Sequence, residues 1–263
     1  MTSGWGTVVE EQPSRLAGWS ATLASLSLPV LILTAIAHRS RAIDTTSAYV
    51  TMAVGFSLAG LAVLIAAAAF AGIWQEGHRG AGRAAQGLIV GMVVLAFPLY
   101  GAWQLIDEPR LTDIATSLDD PPRFVLTMED RDPGDAQSQA IGAVEARLQS
   151  EAHPDIVPRF YPVGTARVFE EARAIVARRG WQVLEARAPS EEDESARIEA
   201  VAVTLVFGFR HDVVVRIQAE EEGALVDMRS AARRGAHDLG VNADRIRRFF
   251  TDLDRALQGV TGG

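Results

Sequence analysis

The stretch VDMRSAARRGAHDLGVNADRI, residues 226–246, decides how the carboxyl-terminal half of this chain is read. It opens with Val226, Met228 and Ser230 alternating with Asp227 and Arg229, the period-two pattern of a strand. A polar loop with glycines at 235 and 240 follows, and from Ala243 onward the apolar residues recur at helical spacing. A strand running through such a loop into a helix gathers hydrogen-bonding side chains at one end of a sheet. Here they are Asp227, Arg229, Ser230, Arg233, Asp238 and Asn242.

Working outward, Asp212 to Ala219 alternates in the same way and is joined to Ala224–Ser230 by a Glu-rich turn ending at Gly223. Pairing the two as a hairpin puts Val213, Val215, Ile217, Val226 and Met228 on one side, and Asp212, Arg216, Asp227 and Arg229 on the other. One face is therefore a core face, and the other carries a structural polar cluster of Asp212, Arg216 and Asp227, with Asp238 in the loop. Arg197 to Phe209 is apolar on both faces, as a central strand is, and Trp181 to Arg187 reads as a further strand, with Glu191–Glu194 as a solvated loop between them. Thr165 to Arg179 is an amphipathic helix whose Val168, Ala172, Ile175 and Val176 share a face and which Gly180 can close. Ala136 to Glu151 has helical character. At the end, Ala243 to Leu257 repeats Ile246, Phe249 or Phe250, Leu253 and Leu257; Asn242 is placed to cap this helix and Asp244 to suit its first turn. Helices, four strands and a final helix predict an α+β domain with helices packed on one face of a largely antiparallel sheet.

The amino-terminal half is different in kind. Leu16–Ala37, Thr45–Gln75 and Ala84–Ile106 contain no charged residue or histidine, and each covers about 20 residues or more, enough to cross a hydrocarbon core of roughly 30 Å. Trp19, Tyr49, Trp74, Tyr100 and Trp103 stand near the expected interfaces. Glu10 and Glu11 precede the first run, where a cleaved signal peptide carries basic residues, so that run reads as a retained span. The expected organisation is an amino-terminal tail over 1–15, three transmembrane helices over 16–106, a proline-punctuated linker over 107–135 and a soluble domain over 136–263. Gly87 and Gly91 form a GxxxG step, and Ala59, Ala62, Ala66 and Ala69 line one side of the second helix, so close helix approach is available. The absence of ionisable residues from the spans argues against a transporter or pump.

Composition narrows the chemistry. There are no cysteines, so thiolate metal sites, disulfides and a cysteine nucleophile are excluded; the formal net charge is −8 and no residue is lysine, which argues against nucleic acid as a partner. Asp119 and Asp120 lack a histidine at ligand spacing, and no metal site is expected. No nucleotide-binding glycine loop, nucleophile elbow or HExxH is present, and no cofactor is expected. Two site readings remain for the 226–246 stretch. Arg229, Arg233 and Arg245, with Asn242, stand about the start of the last helix, where unpaired N–H groups and guanidinium forks favour an anion such as a lipid headgroup. A hydrolase would instead use Ser230 or His237 with Asp227 or Asp238, although Ser230 and Asp227 fall on opposite strand faces.

Several short runs in fixed order resemble a known family. They are Asp113-Ile114-Ala115-Thr116, Pro121-Pro122-Arg123-Phe124, Tyr161-Pro162, Ile198-Glu199-Ala200, Asp212-Val213-Val214-Val215-Arg216, Asp227-Met228-Arg229-Ser230 and Gly240 through Ile246. From Leu111 to about Leu257 the chain is similar to the bacterial and plastid domain of unknown function 1499. His211 stands where the family pattern usually has a second aspartate, and Ala232 where it often has serine. The resemblance implies no particular reaction. Its members are often exported or lipid-anchored, and the nearly even distribution of arginines about the spans leaves orientation to that resemblance: amino terminus cytoplasmic, domain periplasmic, in a bacterial inner membrane. The expected function is a binding or scaffolding domain held at the bilayer, with an anionic lipid or an envelope protein as partner; the alternatives are a membrane-bound hydrolase and an accessory subunit of a membrane complex.

Overall fold

The structure, a computed structural model, describes residues 12–132, 134–136 and 140–258. The expected tail as far as residue 11, and residues 137–139 of the helix expected over 136–151, lie outside the described residues. The chain divides into two compact units, Met1–Ala102 and Trp103–Gly263.

The first unit is built from α1 (Arg15–Arg39), α2 (Thr45–Glu76) and most of α3 (Ala81–Asp107), three helices long and apolar enough to cross a membrane. The starts of α1 and α2 are set by local chemistry. Ser14 Oγ accepts the Ala17 N–H, and Asp44 Oδ2 accepts the Thr46 N–H at 2.9 Å, satisfying donors that a helix start leaves open. The small-residue faces are used as expected: Ala59, Ala62, Ala66 and Ala69 are fully buried. Gly87 faces Ser20 of α1 so closely that a Cβ there would overlap the serine, and Gly91 faces Ala59 and Val63 of α2. Buried Ser20 donates its hydroxyl to the Ala62 carbonyl at 2.8 Å, tying α1 to α2.

The second unit is an antiparallel sheet with its two longest helices on one face and a single helical turn on the other. Its strands are β1 (Asp113–Ala115), β2 (Arg159–Tyr161), β3 (Gln182–Arg187), β4 (Ala196–Val203), β5 (Arg210–Glu220) and β6 (Gly223–Ala232). The order is β1-β6-β5-β4-β3, and β2 lies end to end with β1 along the same edge of β6. The helices are the single turn α4 (Leu126–Glu129), α5 (Ala143–Ala152), α6 (Thr165–Arg178) and α7 (Val241–Gln258).

The hairpin register is the one the alternation predicts, with Val213 opposite Ser230, Val215 opposite Met228, Arg216 opposite Asp227 and Ile217 opposite Val226. Val213, Val215, Ile217, Val226 and Met228 join Ile198 and Ala200 of β4 in one apolar layer, and α6 and α7 cover it with Val168, Ile175, Ile246, Phe249 and Leu253. At about 1.5 to 3 kcal/mol for each large apolar side chain removed from water, this layer is what holds the helices to the sheet.

Four details differ from the sequence reading. The sheet has six strands rather than four, because β1 and β2 are three residues each, too short to show a period, and lie in segments that read as linker and proline-rich loop. The apolar run expected to stay extended to Phe209 leaves the sheet after Val203 and turns back, with Thr204 N–H bonded to the Phe209 carbonyl. The helix expected over 136–151 begins at Ala143. Asn242 is not the cap of α7; it lies inside the helix.

Candidate functional site

On the helix-covered face, the polar end of β6 closes around Asn242. Its Oδ1 accepts three hydrogen bonds: from the Ser230 hydroxyl at 2.8 Å, from Arg245 Nη1 at 2.7 Å and from His211 Nδ1 at 2.9 Å. An amide oxygen can only accept, so His211 carries its proton on Nδ1. Asn242 Nδ2 donates to the Thr112 carbonyl, and Arg245 Nη1 also donates to Ser230 Oγ at 2.9 Å. Ser230 and Asn242 are fully buried, which requires such complete pairing. Burial, with Arg245 beside it, lowers the His211 pKa to about 3. Burial lowers Arg245 to about 10, against the through-space pull of Asp238.

Asp238 takes the capping role expected of Asn242. Its two carboxylate oxygens accept the Gly240 and Asn242 N–H groups, at 3.2 and 2.8 Å. The turn that allows this is left-handed at both Leu239 (φ 57°) and Gly240 (φ 73°). Glycine adopts that conformation freely and leucine does not, so the loop stores strain next to the polar cluster. His237 is held apart from Ser230, donating from Nε2 to the Glu108 carbonyl and accepting the Leu239 N–H at Nδ1.

The opposite face of the sheet carries the charged stripe, and the segment read as a linker covers it. Asp227 pairs with Arg216 at 2.9 Å and accepts the Thr116 hydroxyl at 3.2 Å. Arg229, on the same face, does not join that pair. It forms a two-pronged bridge to Asp113 at 2.6 and 2.9 Å, donates to the Pro122 carbonyl and lies over the Phe124 ring. Asp212 holds two arginines, Arg233 at 2.7 Å and Arg131 at 2.5 Å, and Arg233 reaches Asp130 as well. Glu199 stands in an apolar strand with no local signal of a partner, yet its buried Oε1 accepts the N–H groups of Val125 and Thr127 and the Thr127 hydroxyl, so it caps α4. Burial pulls the Glu199 carboxyl up, but the donors of Arg197 and Thr127 outweigh it and keep it below its ordinary range.

The candidate anion ligands are thus divided. Arg229 and Arg233 point to the covered, charged face, each against a carboxylate, whereas Arg245 and Asn242 lie on the helix side. Strand alternation separates them, and the four residues do not converge on one point. The polar cluster is divided for the same reason: Asp212, Arg216 and Asp227 share a face, and Asp238 caps α7. Ser230 and Asp227 are on opposite faces, as the alternation requires.

A family model described as "Protein of unknown function (DUF1499)" matches residues 113–253. This chain belongs to that family. No curated protein sequence is significantly similar to it. The matched DUF1499 region begins at Asp113, the first residue of β1, and so takes in the covering segment together with the sheet and α7. That extent agrees with the tertiary structure, since Asp113, Thr116, Phe124 and Arg131 complete the charged face.

The DUF1499 domain also has an open cleft of about 440 Å³ beside the end of β6. Thr112, Asp113, Arg131 and Glu145 supply its polar wall, while Ala231, Ala232 and Ala236 leave it room. The Arg131 side chain is 6% exposed, its Nε and Nη2 go to Asp212, and its buried Nη1 has no hydrogen-bond partner among the described residues. Nothing in the sequence marked Arg131, which stands in an acidic turn-rich segment. The alanine at 232, noted for replacing a serine, lies in this cleft wall.

Proposed function

We propose that this chain is a membrane-anchored binding protein, in which α1, α2 and α3 span the inner membrane of a bacterium and hold a periplasmic DUF1499 domain at the bilayer. The observation that carries the binding reading is the cleft with Arg131 among its lining residues, a side chain whose buried Nη1 has no hydrogen-bond partner among the described residues. A buried donor left without a partner costs about 1 to 3 kcal/mol, and a small polar ligand with an acceptor group would satisfy it. The rest of the polar stretch is engaged in folding: Ser230 is buried and bonded to Asn242 and Arg245, and Asp227 and Asp238 are tied to an arginine and to N–H groups.

Native mass spectrometry of the full-length protein, released from gently extracted membranes, tests this reading against an Ala236→Trp variant that fills the cleft. A small molecule retained by the unaltered protein and lost from the variant is the expected result. The same bare mass from both would sink the proposal. Orientation is tested separately: an alkaline phosphatase fused to the carboxyl terminus should be active and a green fluorescent protein dark, and the reverse pattern would place the domain in the cytoplasm.

A further inference from the structure

The first unit carries a second feature that the DUF1499 region does not account for. The starts of α1 and α3 are at the same end of the helix bundle, tied by a short bridge in which the Ser14 N–H bonds to the Arg79 carbonyl at 2.8 Å and the Arg79 N–H to Gln12. Just inside this end, α1 and α3 bound a groove of about 730 Å³. Arg15 and Arg83 stand at its mouth, and Trp19, Thr22, Ser25 and Gln86 line it further in.

Three things identify an occupant. First, among the described residues neither Arg15 nor Arg83 has a carboxylate partner, so two exposed arginines line the groove beside two positive helix ends. Second, the groove has the polarity gradient of a lipid. Ser25 lies ten residues beyond Arg15, about 15 Å deeper along the helix, and between them Trp19, 61% exposed, occupies the position of an interfacial aromatic. Third, the inner wall is polar where a lipid-facing helix surface is ordinarily apolar: Gln86 Nε2 lies 3.5 Å from Ser25 Oγ, and Thr22 bonds back to the Gly18 carbonyl. Those groups suit the ester region of a glycerolipid.

We propose that this groove binds one anionic phospholipid, with its phosphate between Arg15 and Arg83, its ester groups near Gln86 and Ser25, and an acyl chain along α1. Two guanidinium forks match the phosphate of an anionic lipid better than that of a zwitterionic one, whose own cation competes with them for the phosphate. The proposal rests on the membrane-spanning reading of the helices and is independent of the cleft in the DUF1499 domain.

The experiment uses full-length protein in mild non-ionic detergent, titrated with phosphatidylglycerol, phosphatidylcholine or inorganic phosphate and followed by native mass spectrometry and thermal melting. Phosphatidylglycerol should be retained and should raise the melting temperature, and the other two should not. Affinity should fall about fivefold for each arginine removed in Arg15→Gln and Arg83→Gln. The Arg39→Gln/Arg41→Gln variant, at the other end of α1, should bind as the unaltered protein does. Thr22→Trp, which fills the groove while keeping both charges, should also lose the lipid. Equal binding of the two lipids, stabilisation by inorganic phosphate alone, or full retention by the double arginine or Thr22→Trp variant would overturn the proposal. Carbonate extraction separates the two levels of failure: protein released from membranes overturns the spanning reading, and protein that stays in them without lipid preference overturns only the groove.

Discussion

The Ser230 hydroxyl donates to Asn242 Oδ1 at 2.8 Å, and the same oxygen accepts from Arg245 and His211. Replacing Asn242 with leucine would leave three buried donors without their acceptor. Each such group costs about 1 to 3 kcal/mol, so the variant should lose roughly 3 kcal/mol or more and melt well below the unaltered protein. A loss near 1 kcal/mol, the usual magnitude for a helix cap, would mean that the residue acts as a cap after all.

His211 gives the fold an acid sensitivity whose sign follows from its environment. The folded imidazole has a pKa of about 3, against an ordinary value of 6.5. Between those values the unfolded chain binds a proton that the folded chain does not, so stability rises with pH across that window and is lost on acidification. Going from pH 7 to pH 5 should remove about 2 kcal/mol through this residue alone. His211→Gln keeps a donor for Asn242 but cannot titrate. Thermal melts at the two pH values should therefore differ less for the variant, and identical differences would show that His211 does not carry the effect.

On the covered face, Asp212 and Asp227 should not be equivalent. Asp212 neutralises both Arg131 and Arg233, whose side chains are 6% and 2% exposed, so Asp212→Asn leaves the Arg131 guanidinium buried without that counter-charge and Arg233 with Asp130 alone. Breaking a buried pair in this way costs about 3 to 5 kcal/mol. Arg216, the partner of Asp227, is 21% exposed and keeps its bridge to Asp120 at 2.7 Å. Asp227→Asn should cost less, about 1 to 2 kcal/mol, because water and Asp120 remain available to the arginine. Melting temperatures in the opposite order would show that the Asp227 pair, and not Asp212, anchors the covering segment.

Much of this architecture is legible in the residues alone because it depends on local repetition. Uninterrupted apolar runs mark the three long helices, alternation assigns Val213, Val215, Ile217 and their partners to one face of the β5–β6 hairpin, and helical spacing marks the buried side of α7. Glycine and alanine spacing likewise marks the helix faces that approach most closely, as Gly87 does against Ser20. Partner choice has no such local signal. Arg229 reaches Asp113 across 116 residues of chain, and Glu199 caps a turn more than 70 residues before it. Gln149 fastens β1 through bonds to both the N–H and the carbonyl of Ala115. Strands of three residues are shorter than the period needed to detect them, and a long arginine can satisfy any of several nearby acids. Which acid it meets was decided when the segment after α3 folded over the sheet, because only that packing removed the charged face from water and made each pairing necessary.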